Sequence, residues 1–173
     1  MRTFLRKSLI VSSLALAAGA IGQTANAAPG DSLRWQSVIG IAQANNIVGT
    51  GAGAVTGGGQ PWSASGGHVN VDPYTGRIDF DVNGLVNAGG NAIGTPGAVV
   101  QVKGTLVCDT NGSASGGTTS ILVDTPLVDL SDAGDAHFHG TVGALPPQCA
   151  SEPDVAFLIR AGSRWIANGT VLR

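Results

Sequence analysis

Hydrophobic and polar residues alternate with period two along much of the chain, and stretches rich in Gly, Pro and Asn separate the alternating runs. The clearest unit covers residues 67–84. There Val69 and Val71 alternate with His68 and Asn70, and Ile78, Phe80 and Val82 alternate with Asp79 and Asp81. Asp72-Pro73-Tyr74-Thr75-Gly76 joins the two runs. Pro fixes φ there and Gly accepts φ > 0, so the pattern predicts a β-hairpin with one apolar and one polar face. Residues 33–42 are apolar and favour a strand over a helix only slightly, and residues 47–55 read as a weak strand interrupted by Gly.

Residues 98–109 predict a strand with Val100, Val102, Leu106 and Cys108 on one side. A Ser/Gly-rich loop at 110–117 returns the chain into a strand at 118–124. Residues 135–142 alternate again, with Ala136, Phe138 and Val142 facing one way, before Pro146-Pro147 interrupts pairing. Residues 155–159 are apolar on both faces, as in a central strand, and 161–164 turn the chain into 165–172. Eight or nine strands without a convincing helix predict an all-β fold, a single-domain antiparallel sandwich or closed barrel.

Composition supports this class. Gly supplies 27 of 173 residues, well above its usual share of ~7%, without the strict period of collagen. At 43% hydrophobic the chain has enough apolar surface for a core. Residues 1–27 look like an export signal: a basic start (Arg2, Arg6, Lys7), an apolar stretch at 9–21, and the small-x-small site Ala25-Asn26-Ala27. The apolar stretch is shorter than the ~20 residues that span a bilayer. The expectation is cleavage after Ala27 and a mature single β domain, 28–173, that is secreted or periplasmic. No Cys follows the apolar run to carry a lipid, and no second spanning segment occurs. Loss of three of the nine basic residues leaves six against eleven acidic ones, a net charge of −5. Such a chain is repelled by phosphate backbones and anionic membranes, so no nucleic-acid partner and no membrane span in the mature chain are expected.

The two cysteines, Cys108 and Cys149, both lie in the exported part, where an oxidising compartment favours pairing. No Lys, Arg or His neighbours either in sequence to activate a free thiol.

Several stretches in order, among them Gly84-Leu85-Val86-Asn87-Ala88-Gly89-Gly90, Leu106-Val107-Cys108, Gly134-Asp135-Ala136-His137-Phe138, Pro146-Pro147-Gln148-Cys149 and Phe157-Leu158-Ile159-Arg160, carry a resemblance. Over roughly 60–173 the chain resembles a group of small secreted bacterial hypothetical proteins. The resemblance implies a secreted β domain with paired cysteines and transfers no activity. Val71-Asp72-Pro73-Tyr74-Thr75-Gly76 and Ala136-His137-Phe138-His139-Gly140 are also faintly similar to pieces of CHRD-type extracellular domains, in a different spacing and order.

Chemistry concentrates at Asp135, His137 and His139. On a strand, i, i+2 and i+4 share a face, so one carboxylate and two imidazoles would project together as a metal-ligand set, with His68 as a further ligand if its strand is adjacent. The bland alternative is the polar face of a half-buried strand. Asp79 and Asp81 share a strand face in the same way, with Asp72 in the nearby turn, and read best as a solvated face. No nucleophile elbow, Walker lysine or complete dinucleotide fingerprint occurs. Trp62, beside Pro61 in a Gly/Ser-rich stretch, is the candidate for stacking on a sugar ring, whereas Trp165 reads as core.

The sequence thus predicts an exported, non-enzymatic β domain without a cofactor, a binding or structural protein whose partner would be a glycan or another envelope protein. The alternative is a metal-binding protein or metal-dependent enzyme using Asp135, His137 and His139. A third reading is a subunit that assembles by pairing of β-edges.

Overall fold

A computed structural model describes residues 32–115, 119–151 and 154–172; the export signal read from residues 1–27 lies outside them. Thirteen strands are found among the described residues: β1 (Leu33–Gly40), β2 (Ile47–Val48), β3 (Val55–Thr56), β4 (Trp62–Ser63), β5 (Gly66–Asp72), β6 (Arg77–Asn83), β7 (Val86–Asn87), β8 (Gln101–Cys108), β9 (Ile121–Asp124), β10 (Val128–Asp129), β11 (Ala136–Thr141), β12 (Ala156–Ala161) and β13 (Arg164–Leu172). Nine of them form one antiparallel sheet in the order β10–β8–β12–β13–β1–β5–β6–β11. The ninth, β9, pairs with the same edge of β8 as β10 does, and Thr125, Pro126 and Leu127 interrupt the two. The all-β antiparallel fold expected from the alternation is the one that forms, and its sheet curls on itself as a half-barrel.

Alternation explains the curl. Val69, Val71, Ile78, Phe80 and Val82 are fully buried on the inner face of the β5–β6 hairpin. Phe80 meets Phe157 of β12 at a ring-centroid distance of 5.7 Å and stacks on Phe138 of β11 at 6.1 Å. Trp35 of β1 lies 5.9 Å from Phe157, so strands from both halves of the sheet share one aromatic cluster. Gly104 on β8 makes room for it, because a Cβ there would sit 2.5 Å from Phe157 Cζ. Burying a ring of this size stabilises by roughly 1.5–3 kcal/mol. In the central strand β12, Phe157, Leu158 and Ile159 are all fully buried, as apolar residues on both faces require.

The two margins of the half-barrel are joined twice. At one end β10 passes into β11 through a tight turn in which Ser131 N–H donates to Asp135 O (2.9 Å) and Gly134 N–H to Ser131 O (2.8 Å). At the other end the chain leaves β11, and Val142 N–H donates to Gly76 O at the tip of the β5–β6 hairpin (2.9 Å). It then reaches a one-turn helix, α1 (Gln148–Ser151), which the Cys108–Cys149 disulfide fastens to the end of β8. Val142 and Leu145 of this strap pack against the core.

Three local expectations change. Residues 47–55 make two short paired strands, not one, because Gly49 (φ +85°) and Gly51 (φ +56°) adopt left-handed backbone that breaks a strand. Gln148–Ser151 is a helical turn that no alternation announced. Val100 precedes the strand and is exposed, while Val102, Leu106 and Cys108 are buried as expected.

Removing the 41-position crosslink with paired Cys108→Ser and Cys149→Ser substitutions is expected to lower unfolding free energy by about 4 kcal/mol, measured by urea denaturation. Gly76→Ala is expected to cost at least about 2 kcal/mol in the same assay. Gly76 has φ +69°, and a Cβ there would fall 1.7 Å from Gly143 O of the strap.

Candidate functional site

The outer face of β5, β6 and β11 carries all three histidines of the chain. Register fixes them in rows. His68 and His137 stand directly across from Asp81, one on each side, and Asn70 and His139 flank Asp79 in the next row. The third row is Asp72, Arg77 and Thr141. The apolar partners of these residues, Val69, Phe80 and Phe138, point inward, so period-two alternation alone delivers the polar grid to solvent.

Two rows are partnered differently. His68 Nε2 lies 3.3 Å from Asp81 Oδ2, with about half of each side chain exposed. In the neighbouring row Arg77 Nε donates to Asp79 Oδ2 at 3.0 Å, and Arg77 Nη2 lies 2.6 Å from His139 Nε2. A guanidinium has only donors, so His139 Nε2 is the acceptor there, and Nδ1 lies 2.7 Å from Asp79 Oδ1. That last contact is out of line for a hydrogen bond, which leaves the buried Oδ1 without a hydrogen-bond partner among the described residues. At the hairpin tip, Asp72 Oδ1 accepts from Tyr74 N–H (2.9 Å) and Thr75 N–H (3.1 Å). Hydrogen bonds from Thr75 and then Tyr74 hold its carboxyl below the ordinary 3.8.

Of the residues singled out from sequence, Asp135 does not join His137 and His139. It precedes β11, and its Oδ1 accepts from Gly84 N–H at 2.9 Å, bracing the turn after β6. His137 is exposed and has no polar partner among the described residues. As placed, no three His, Cys, Asp or Glu side chains among the described residues converge as a metal-ligand set. Trp62 is not a surface platform. It is 7% exposed, held in β4 against β7, and its backbone N–H donates to Ile41 O (2.8 Å), so its ring cannot stack on a sugar from solvent. Trp165 is core as expected, with Nε1 donating to Asn46 O at 3.0 Å.

Sequence reasoning missed a second charged cluster, on the outer face of β8, β9 and β12. Asp124 accepts from the Lys103 ammonium, from Thr105 Oγ1 (2.6 Å) and from Arg160 Nη1 (3.2 Å). Lys103, Thr105 and Asp124 occupy polar positions in two separate runs, and only the pairing register brings them together. Burial pushes the Asp124 carboxyl up, but the hydrogen bonds from Lys103 and Thr105 and the charges of Lys103 and Arg160 outweigh it, so the net shift is downward from 3.8.

A lowered carboxyl pKa contributes stability above the unfolded value and loses it as pH falls through the folded one. Stability is therefore expected to fall as pH drops below 3.8, and Asp124→Ala should flatten that acid limb. At pH 7 the same substitution should cost about 1–3 kcal/mol, since the buried Thr105 hydroxyl loses its acceptor. Denaturation curves from pH 2 to 7 measure both. No known family, no characterised protein and no solved structure matches this chain.

Proposed function

We propose that this chain is an exported, non-enzymatic binding domain whose working surface is the outer face of β5, β6 and β11. The observation that carries the reading is the concentration there of three histidines, Asp79, Asp81 and Arg77 on three adjacent strands. A rigid sheet holds them, and their inward neighbours are core. Export is supported by the tripartite pattern of residues 1–27 and by the Cys108–Cys149 bond, which persists in an oxidising compartment. A non-enzymatic role is supported by the use made of the polar groups. Arg77 bonds Asp79 on its own strand and His139 on the next, an arrangement suited to a recognition surface of mixed charge. The partner class that fits is a glycan or a protein of the envelope.

Expression of the full chain followed by intact-mass analysis of the culture medium and periplasm is expected to find a species beginning at Ala28 that gains two daltons on reduction. A full-length species confined to the cytoplasm would overturn the export reading. Sedimentation with isolated cell envelopes should carry down the purified protein, and the double variant Arg77→Ala, Asp79→Ala should reduce the pelleted fraction several-fold. Equal pelleting by both proteins, or none by either, would remove this face as the working surface.

A further inference from the structure

We infer that the row His68–Asp81–His137 binds one first-row transition cation of the zinc type; this rests on reading the β5–β6–β11 face as the working surface. Four observations carry it. Register places His68 and His137 directly opposite Asp81 on the two strands that flank it, where facing Cβ atoms are ~4.5–5.5 Å apart. His68 Nε2 and Asp81 Oδ2 already face each other at 3.3 Å, longer than a good charge-assisted hydrogen bond. It is close to the roughly 3.3 Å that separates two ligand atoms on a tetrahedral zinc with bonds of ~2.0–2.1 Å. His137, across the strand on the other side of Asp81, is exposed and unengaged among the described residues. As placed, His137 does not converge on the pair, and a change of its side-chain rotamer is the movement that the site requires of it.

The fourth observation separates this site from a simple pair of histidines on one strand. His139, two residues along β11, has Nε2 engaged by Arg77 and Nδ1 against Asp79, so it serves the neighbouring row. Arg77 is charge-paired with Asp79, leaving Asp81 as the carboxylate of the row that lacks a cationic Lys or Arg partner. Two imidazoles and one carboxylate suit Zn²⁺ over Mg²⁺ or Ca²⁺, and the fourth position of a tetrahedron falls to solvent.

The test uses the full disulfide-bonded chain, purified without an affinity histidine tag and titrated with zinc chloride by calorimetry and native mass spectrometry, with magnesium chloride as control. One Zn²⁺ per chain is expected. His68→Ala and His137→Ala should each weaken binding at least about tenfold. His139→Ala should change it less than about threefold. Near-UV circular dichroism of each variant establishes that the fold is retained, and histidine-ring NMR should show zinc-induced shifts at His68 and His137. Absence of a one-to-one zinc complex overturns the site. So does a complex that survives His68→Ala and is lost in His139→Ala, which would be a chelate of the β11 pair. Envelope sedimentation of the metal-free protein is read separately. Sedimentation without zinc binding defeats this inference alone, and zinc binding without sedimentation defeats the reading of the face alone.

Discussion

Closing a curled sheet at its margins is the constraint on which the rest of this structure depends. β11 and β10 end the strand order at opposite sides, yet they are consecutive in the chain, and the Ser131–Asp135 turn joins them at one end. At the other end the strap after β11 runs past the hairpin tip at Gly76 to Cys149 and its bond with Cys108. Between these two ties, Phe80, Phe138, Phe157 and Trp35 come from strands at separate positions in the order and still share one cluster. If the margins separated, the aromatic cluster would be exposed to water along one side. Entropic restraint of the unfolded chain and apolar burial in the folded one therefore act on the same geometric feature.

The polar grid on the opposite face is a by-product of that core. Each inward Val, Ile or Phe on β5, β6 and β11 obliges its neighbours to point outward, and antiparallel register lines those neighbours up across strands. The histidine contacts on this face are thus cross-strand contacts. Asp79 is engaged by Arg77 from its own strand and by His139 from the next, whereas Asp81 meets His68 from the strand on the other side. The Lys103–Asp124–Arg160 cluster follows the same rule on three other strands.

Alternation was legible wherever a strand has one wet and one dry face. The β5–β6 hairpin, its Asp72–Gly76 turn, the central β12 and the cysteine pairing all follow from residues read singly or at spacing two. What could not be read is anything set by register. Spacing puts Asp135 on one face with His137 and His139, but the backbone has not yet entered the strand at that residue, and Gly84 N–H claims its carboxylate. Trp62 sat among Gly, Ser and Pro, a surface composition, yet the backbone pairing of β4 with β7 and with Ile41 buries it. Asp124 and Arg160 are 36 positions apart, and no local signal links them.

Pro126 gives the β8 margin a further property. A continuous edge strand from Ile121 to Asp129 would present a row of unpaired N–H and C=O groups, a template for adding strands from other molecules. The interruption at Thr125, Pro126 and Leu127 leaves instead one stretch of four residues and one of two. Within it Pro126 has no N–H to offer, and Thr125 turns its own N–H inward to Gly104 O. The half-barrel is left unclosed, and the edge on this side offers an incoming strand only two short stretches of backbone to pair with.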